Sequence, residues 1–187
     1  MVENYKEILY DNETLSTPRL TLRKFRKTDA EDVFEYGSDA ETLEFLVWEG
    51  LKTADDAKVA IVNYYWSRPG FFAIEREGKC IGCIDLRMLP EHEKATFGYV
   101  LNRAFWGQGY MSEALSAVLA LCFEKLELNR VESEHYVGNE GSGRVMEKCA
   151  MQREGLSPQK EKIKGTFRDI VHYGLTRDMY FEKRRNT

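Results

Sequence analysis

The chain has 187 residues, 43% of them hydrophobic and 12% aromatic, with a formal net charge of -4. That length and apolar content suit one domain with an adequate core and argue against disorder, and the negative balance gives no electrostatic case for binding nucleic acid. No apolar run approaches the length of a membrane span. The acidic opening MVENYKEILYDNETLSTPRL lacks the basic and apolar regions of a secretory signal, so no membrane partner and a cytoplasmic location are expected.

In chain order, RLTLRKF (19–25) alternates leucine with polar residues and predicts a first strand. In TDAEDVFEYGSD, Thr28 and Glu31 have the spacing of a capping box, and Gly37 predicts the stop of the short helix they open. An apolar loop, LEFLVWEGLKT, follows. Thr53, with Asp55 and Asp56 behind it, predicts a second helix that ends before Pro69-Gly70. FFAIERE and KCIGCIDLRML flank Gly78 as a hairpin, and ATFGYVL predicts the next strand. A stripe of Met111, Ala114, Leu115, Val118, Leu119, Cys122 and Leu126 predicts a long helix with one face on a sheet. RVESEHYV (130–137) predicts a further strand, Asn139 an N-cap for a helix through EGSGRVMEKCAM, and GTFRDIVHYGLTRD a closing strand. The order is mixed α/β (α+β) with a mostly antiparallel sheet, not a simple βαβ repeat. One domain over 1–187 is expected, with an N-terminal extension at 1–15 and a C-terminal tail at 180–187.

Two local patterns carry chemistry. Cys80 and Cys83 form a C-x-x-C, but no second pair follows, so no metal site is expected. On a regular strand, residues three apart point to opposite faces, which makes these two buried thiols rather than a pair. FWGQGYMSEA (105–114) places Gly107 and Gly109 at the mouth of the long helix. The third glycine of a dinucleotide fingerprint is absent, since position 112 is serine, and so is the Lys-Ser/Thr of a P-loop. Two readings stay open on spacing alone: a tight turn, or a cradle in which backbone N–H groups and the helix N-terminus hold an anion.

The wider string GYVLNRAFWGQGYMSEAL resembles the acetyl-CoA signature of the GNAT acyltransferase superfamily, in its ribosomal-protein N-acetyltransferase (Rim-like) branch. The matching residues are Gly98, Tyr99, Leu101, Trp106, Gly107, Gly109, Tyr110, Glu113 and Ala114. NEGSGRVMEK matches a second motif of that branch with Asn139, Ser142, Arg144, Val145, Glu147 and Lys148. STPRLTLRKFRKTDAEDV resembles its opening and FRDIVHYGLTRDM its closing strand, so four motifs run in order from about Ser16 to Met179.

The resemblance implies a GNAT fold: a twisted, mostly antiparallel sheet flanked by helices, with a splayed strand pair that holds acetyl-CoA. It implies that Val100 and Leu101 pair with the pantetheine arm. The amides of Trp106, Gly107, Gln108, Gly109, Tyr110 and Met111 hold the pyrophosphate, and Asn139 and Ser142 face the thioester end. The implied reaction is direct attack of a primary amine on the thioester, without a metal or a covalent enzyme intermediate. The acceptor is a protein N-terminal amine, of ribosomal-protein type, or a small-molecule amine. Many relatives carry a tyrosine acid at the position of Met146, so the proton for the thiolate falls to Ser142. The branch's glutamate base is Thr96 here, which leaves Asp85, Glu134 and Glu93 as replacements, with His92 and His135 as titratable neighbours. Ala150 stands where the family has glycine. Phe45 and Trp48 are expected on the acceptor side, and a homodimer is expected by resemblance. The missing glutamate keeps an alternative open, a GNAT-fold module that binds CoA as a sensor with little turnover.

Overall fold

The structure, a computed structural model, describes residues 4–185. Residues 1–3 and 186–187 of the expected extension and tail lie outside them. Eight strands form one sheet: β1 (Leu15–Ser16), β2 (Thr21–Arg23), β3 (Phe71–Arg76), β4 (Lys79–Leu89), β5 (Lys94–Leu101), β6 (Arg130–Tyr136), β7 (Gln152–Ile163) and β8 (Thr166–Thr176). Their spatial order is β1-β2-β3-β4-β5-β6-β8-β7, and β5–β6 is the parallel pair. The helices are α1 (Tyr5–Asp11), α2 (Ala30–Gly37), α3 (Ala40–Leu43), α4 (Ala54–Ala60), α5 (Tyr110–Ala120), α6 (Glu140–Lys148) and α7 (Arg177–Arg185).

Apolar side chains from the two sheet faces build two cores. On one face Leu115, Val118 and Leu119 of α5 and Met146 of α6 pack on Ile84, Phe97, Val131 and Leu175. On the other face Val33 and Tyr36 of α2 and Ala57 of α4 pack on Ala73, Cys80 and Cys83. The expected N-terminal extension is part of the first core, since Leu9 of α1 is buried there, and Tyr180 and Phe181 of α7 pack against it.

Three expectations are corrected. The turn before α2 is capped by Asp29, whose Oδ2 accepts from the Arg26 N–H at 2.7 Å, and not by Thr28. Cys80 and Cys83 share one face. The β3–β4 register slips between Ile74 and Glu75, pairing Ile74 with Gly82 and Glu75 with Cys80, so Ile81 is an extra residue and the alternation is reset. Both thiols are free, and burial pushes Cys83 up to about 12 and Cys80 higher still, so they pack as small apolar groups. The glycine between them has a reason. A Cβ on Gly82 would collide with the Val100 carbonyl of β5. Finally, the sequence pattern gives no strand for QREGLSPQKEKI, which is β7. Its pairing with β8 slips twice, at Arg153/Gly155 and at Ser157/Glu161, and so breaks the period of two.

The capping box at Thr53 forms as expected: Thr53 Oγ1 accepts from Asp56 N at 3.1 Å and Asp56 Oδ2 from Thr53 N at 2.9 Å. Ala150, in the family's glycine position, keeps the left-handed turn after α6 at φ 69. The turn is therefore retained at a strain of about 1 kcal/mol for an L-residue.

Candidate active site

The sheet opens between β5 and β6. Their pairing runs from Lys94↔Arg130 to Thr96↔Glu132 and stops, while β5 continues to Leu101 and β6 to Tyr136. Ser133 Oγ donates to the Phe97 carbonyl at 2.7 Å and closes the apex of the wedge. Beyond it lies a cleft of about 300 Å³. Tyr99, Val100 and Leu101 line one wall, Trp106, Gly107, Gly109, Tyr110 and Met111 the end, and Asn139 and Ser142 of α6 the other wall.

The glycine turn is shaped to receive an anion. Gly107 and Gly109 adopt φ +74 and +81, which only glycine does without strain. Gly109 is also the N-cap of α5, so the free amides and positive end of that helix face the cleft. A Cβ on Gly107 would meet nothing within 4 Å, whereas one on Gly109 would reach the Arg19 guanidinium at 3.5 Å. Gln108 is not part of the lining; its side-chain amide donates to the Ala104 carbonyl at 3.1 Å. Trp106 Nε1 donates to the Leu101 carbonyl at 2.7 Å and fixes the turn to the end of β5.

The turn is also tied to the start of the chain. Glu113, in the first turn of α5, accepts from Thr17 Oγ1 (2.6 Å), the Arg19 N–H (2.9 Å) and Arg19 Nε (2.6 Å). Arg19 Nη1 then donates to the Gln108 carbonyl at 3.1 Å. Burial alone would raise the Glu113 pKa, but these bonds hold it below the usual carboxylate range.

On α6, Asn139 does two things. Its Oδ1 caps the Ser142 N–H at 3.3 Å, and the residue lines the cleft. Ser142 meets a partner that spacing does not reveal. Tyr99 Oη lies 2.9 Å from the Ser142 carbonyl oxygen and 2.9 Å from its Oγ. Met146, by contrast, is fully buried in the core. Arg144 and Lys148 also line the cleft, and neither has an ion-pair partner among the described residues. Their i, i+4 spacing beside Asn139 was the available signal for this basic edge.

The replacement bases separate clearly. Asp85 pairs with Gly98 across β4–β5, so it sits beside the wedge on the face opposite α5. Burial pushes its pKa up, opposed by Arg68 and Arg87, and the two guanidiniums engage both its oxygens. Glu134 lies on β6 two residues past Glu132, where the pairing with β5 has ended; alternation puts it on the face of Glu132, opposite α5, and it does not line the cleft. Its carboxylate is 40% exposed and meets Lys160 at 2.8 Å and His172 Nδ1 at 3.2 Å, while His172 Nε2 shares a 2.8 Å hydrogen bond with Ser157. Glu93 and His92 are exposed in the β4–β5 turn, at the opposite end of β5 from the cleft. His135 is buried beneath α6, where a Cβ on Gly143 would come within 2.8 Å of its Nε2.

At the rim, Glu41, Thr42, Phe45 and Leu46 complete the lining. The β7–β8 hairpin reaches this segment: Lys164 Nζ donates to the Leu43 carbonyl at 2.7 Å, and the Arg168 guanidinium lies 6.0 Å from the Phe45 ring centroid. Phe45 thus lines the rim of the cleft. Trp48 does not line the cleft and packs against Gly37 instead. No group of three or more metal-ligating side chains occurs among the described residues, and no helix there is long and apolar enough to cross a membrane.

Comparison with known proteins agrees with this geometry. Residues 19–152 match the family model described as an acetyltransferase (GNAT) domain. The uncharacterized N-acetyltransferase p20 of Bacillus licheniformis is 31% identical over 175 residues, covering 90% of this chain and 98% of the relative. The [ribosomal protein uS5]-alanine N-acetyltransferase of Escherichia coli is 24% identical, covering 87% and 90%. A crystal structure of a GNAT-family acetyltransferase from Bacillus anthracis superposes with a TM-score of 0.81 at 28% identity, over 88% of this chain and 99% of that one. RimL, a ribosomal L7/L12 alpha-N-protein acetyltransferase in complex with coenzyme A, shares the fold with a TM-score of 0.79 at 20% identity, over 89% and 99%. The matched family model spans the strand wedge, the glycine turn and α6, and the chain belongs to the GNAT family of N-acetyltransferases, which use acetyl-CoA.

Proposed function

We propose that the protein transfers the acetyl group of acetyl-CoA to a primary amine entering on the Phe45 side of the cleft. The observation that carries this reading is the open β5–β6 wedge ending on the N-terminus of α5. Unpaired β5 backbone offers hydrogen bonds to an amide-bearing arm. The glycine turn and α5 amides suit a pyrophosphate, and Arg144 and Lys148 supply further positive charge. When bound, the thioester supplies an activated acetyl carbon. Glu134 takes a proton from the acceptor ammonium, and His172 and Lys160 hold its carboxylate in place. Asp85 is unsuited to that task because its oxygens are already taken by Arg68 and Arg87. Relatives named for acetylating ribosomal-protein termini support a protein α-amine as the acceptor, with small amines as the other class to assay.

Acetyl-CoA at a hundredfold excess over its dissociation constant stabilises the fold by about 2.7 kcal/mol, which raises the melting temperature by roughly 5–10 °C. Thiol release is then expected with at least one member of a panel of N-terminal peptides and small amines. Stabilisation without turnover on any of them selects the sensor alternative. Stabilisation by ATP or NAD instead of acetyl-CoA refutes the reading. Glu134→Gln lowers kcat about 100-fold, and a turnover number within twofold of wild type removes Glu134 from the reaction.

A further inference from the structure

The departing sulfur needs a proton, and an aliphatic hydroxyl such as that of Ser142 is a poor acid by itself. The proton inventory around Ser142 answers this. Tyr99 Oη has one proton and two acceptors, the Ser142 carbonyl oxygen and Ser142 Oγ, each at 2.9 Å. Burial pushes the phenol's pKa above its ordinary value although the Ser142 hydrogen bond opposes this, so the group is protonated at neutral pH. The ring is held by the first core, stacked on Phe97 at 5.8 Å between centroids.

Two arrangements of hydrogens satisfy these distances. If the phenol donates to the carbonyl, the serine proton must point at Oη and is turned away from the cleft. If the phenol donates to Oγ, the serine proton is free to point into the cleft. Rotation of the two hydroxyls, about the C–O bonds of Tyr99 and Ser142, converts the first arrangement into the second.

We propose that Tyr99 supplies the leaving-group proton through Ser142, acting as the positioning residue of a two-hydroxyl relay. This rests on the transferase reading above. As the acceptor nitrogen bonds to the acetyl carbon and the carbon–sulfur bond breaks, the bonding pair stays on sulfur. The Ser142 hydroxyl gives its proton to that sulfur, and the Tyr99 proton moves onto Ser142 Oγ. The phenolate is reprotonated from solvent; the nitrogen loses two protons in becoming an amide, one to Glu134 before attack and one to water from the adduct, so one balances the phenolate and one is released.

The test uses the full chain with coenzyme A alone, and then with acetyl-CoA and an accepted amine. The pKa of the bound CoA thiol is read from its thiolate ultraviolet absorbance. In Tyr99→Phe it is expected to rise by about 1 unit over wild type, because the Ser142 hydroxyl that donates to the thiolate loses the phenol that polarises it. The same variant is expected to lose kcat by about 10- to 100-fold with the acetyl-CoA KM within threefold. Ser142→Ala is expected to give the same two changes, and the double variant no more than either single one, as for residues acting in series. Equal or higher kcat in Tyr99→Phe, an unmoved thiol pKa, or additive losses overturn the relay. Should Tyr99→Phe not fold, 3-fluorotyrosine at position 99 keeps the ring and hydroxyl and makes the phenol more acidic; the bound-thiol pKa then falls, and no movement overturns the relay. Failure of wild type to bind coenzyme A defeats the transferase reading. Binding with thiol titrations alike in wild type and variant defeats the relay alone.

Discussion

Replacing Asp29 by alanine is expected to cost about 3–5 kcal/mol of stability, because it leaves a buried guanidinium without its main partner. Arg23 of β2 and Asp29 before α2 are each only 4% exposed. Arg23 Nη1 and Nη2 meet Asp29 Oδ2 and Oδ1 at 2.8 Å each, and Arg23 Nε meets Glu75 Oε2 at 2.6 Å. This forked geometry holds the guanidinium strongly charged despite the burial that opposes it. Asp29→Ala also orphans the Arg26 N–H that Asp29 caps. Thermal melting should therefore fall by about 10 °C. The loss is the cost of an unpaired charge and not the worth of the pair, so Arg23→Met together with Asp29→Leu is expected to recover much of it. A single Asp29→Ala variant that melts within 2 °C of wild type refutes the argument.

That pair also marks what the sequence could and could not say. The opening motif was legible as a pattern, and its strand and helix stand where alternation and Gly37 put them. Its chemistry was not legible, because the partners are distant in the chain. Arg23 answers Glu75, and Arg19 and Thr17 answer Glu113, nearly a hundred residues on. Periodicity found α5, which buries one face. It failed where backbone irregularity resets the period, at the Ile81 bulge that turns Cys80 and Cys83 to one side and at the two slips in β7.

The cleft follows the same rule. Gly107, Gly109 and Asn139 were visible because their backbone roles restrict residue type, and Ser142 through the resemblance alone. The Tyr99–Ser142 contact is a side-chain meeting between elements, and spacing within one element is silent on it. Glu134 and Asp85 were equal candidates as letters. Their partners separate them, since Asp85 is clamped by two arginines whereas Glu134 meets Lys160 and His172 through one oxygen.

The glycine turn gives the largest expected effect on the donor. A Cβ at Gly109 would point toward Arg19 at an ordinary contact distance. The damage comes from the backbone. Gly109 sits at φ 81, ψ 1 as the N-cap of α5, and a β-branched residue there is strongly disfavoured. Gly109→Val must rotate this peptide out of the left-handed region, which swings the Gln108 carbonyl away from Arg19 and tilts the first α5 amides away from the cleft. Most of the core below is untouched, because Ala114, Leu115 and Val118 pack one turn further on, and only the buried Tyr110 and Met111 adjoin the turn. Calorimetric titration with acetyl-CoA is expected to show a loss of at least about 2 kcal/mol, or about 30-fold in affinity. The ligand-free melting temperature should move far less than in Asp29→Ala. Gly109→Ala is expected to lose affinity less severely, since alanine tolerates positive φ better than valine does. Affinity unchanged in the valine variant would mean that neither this turn nor the α5 N-terminus holds the donor's phosphates, and the assignment of the cleft would fall with it.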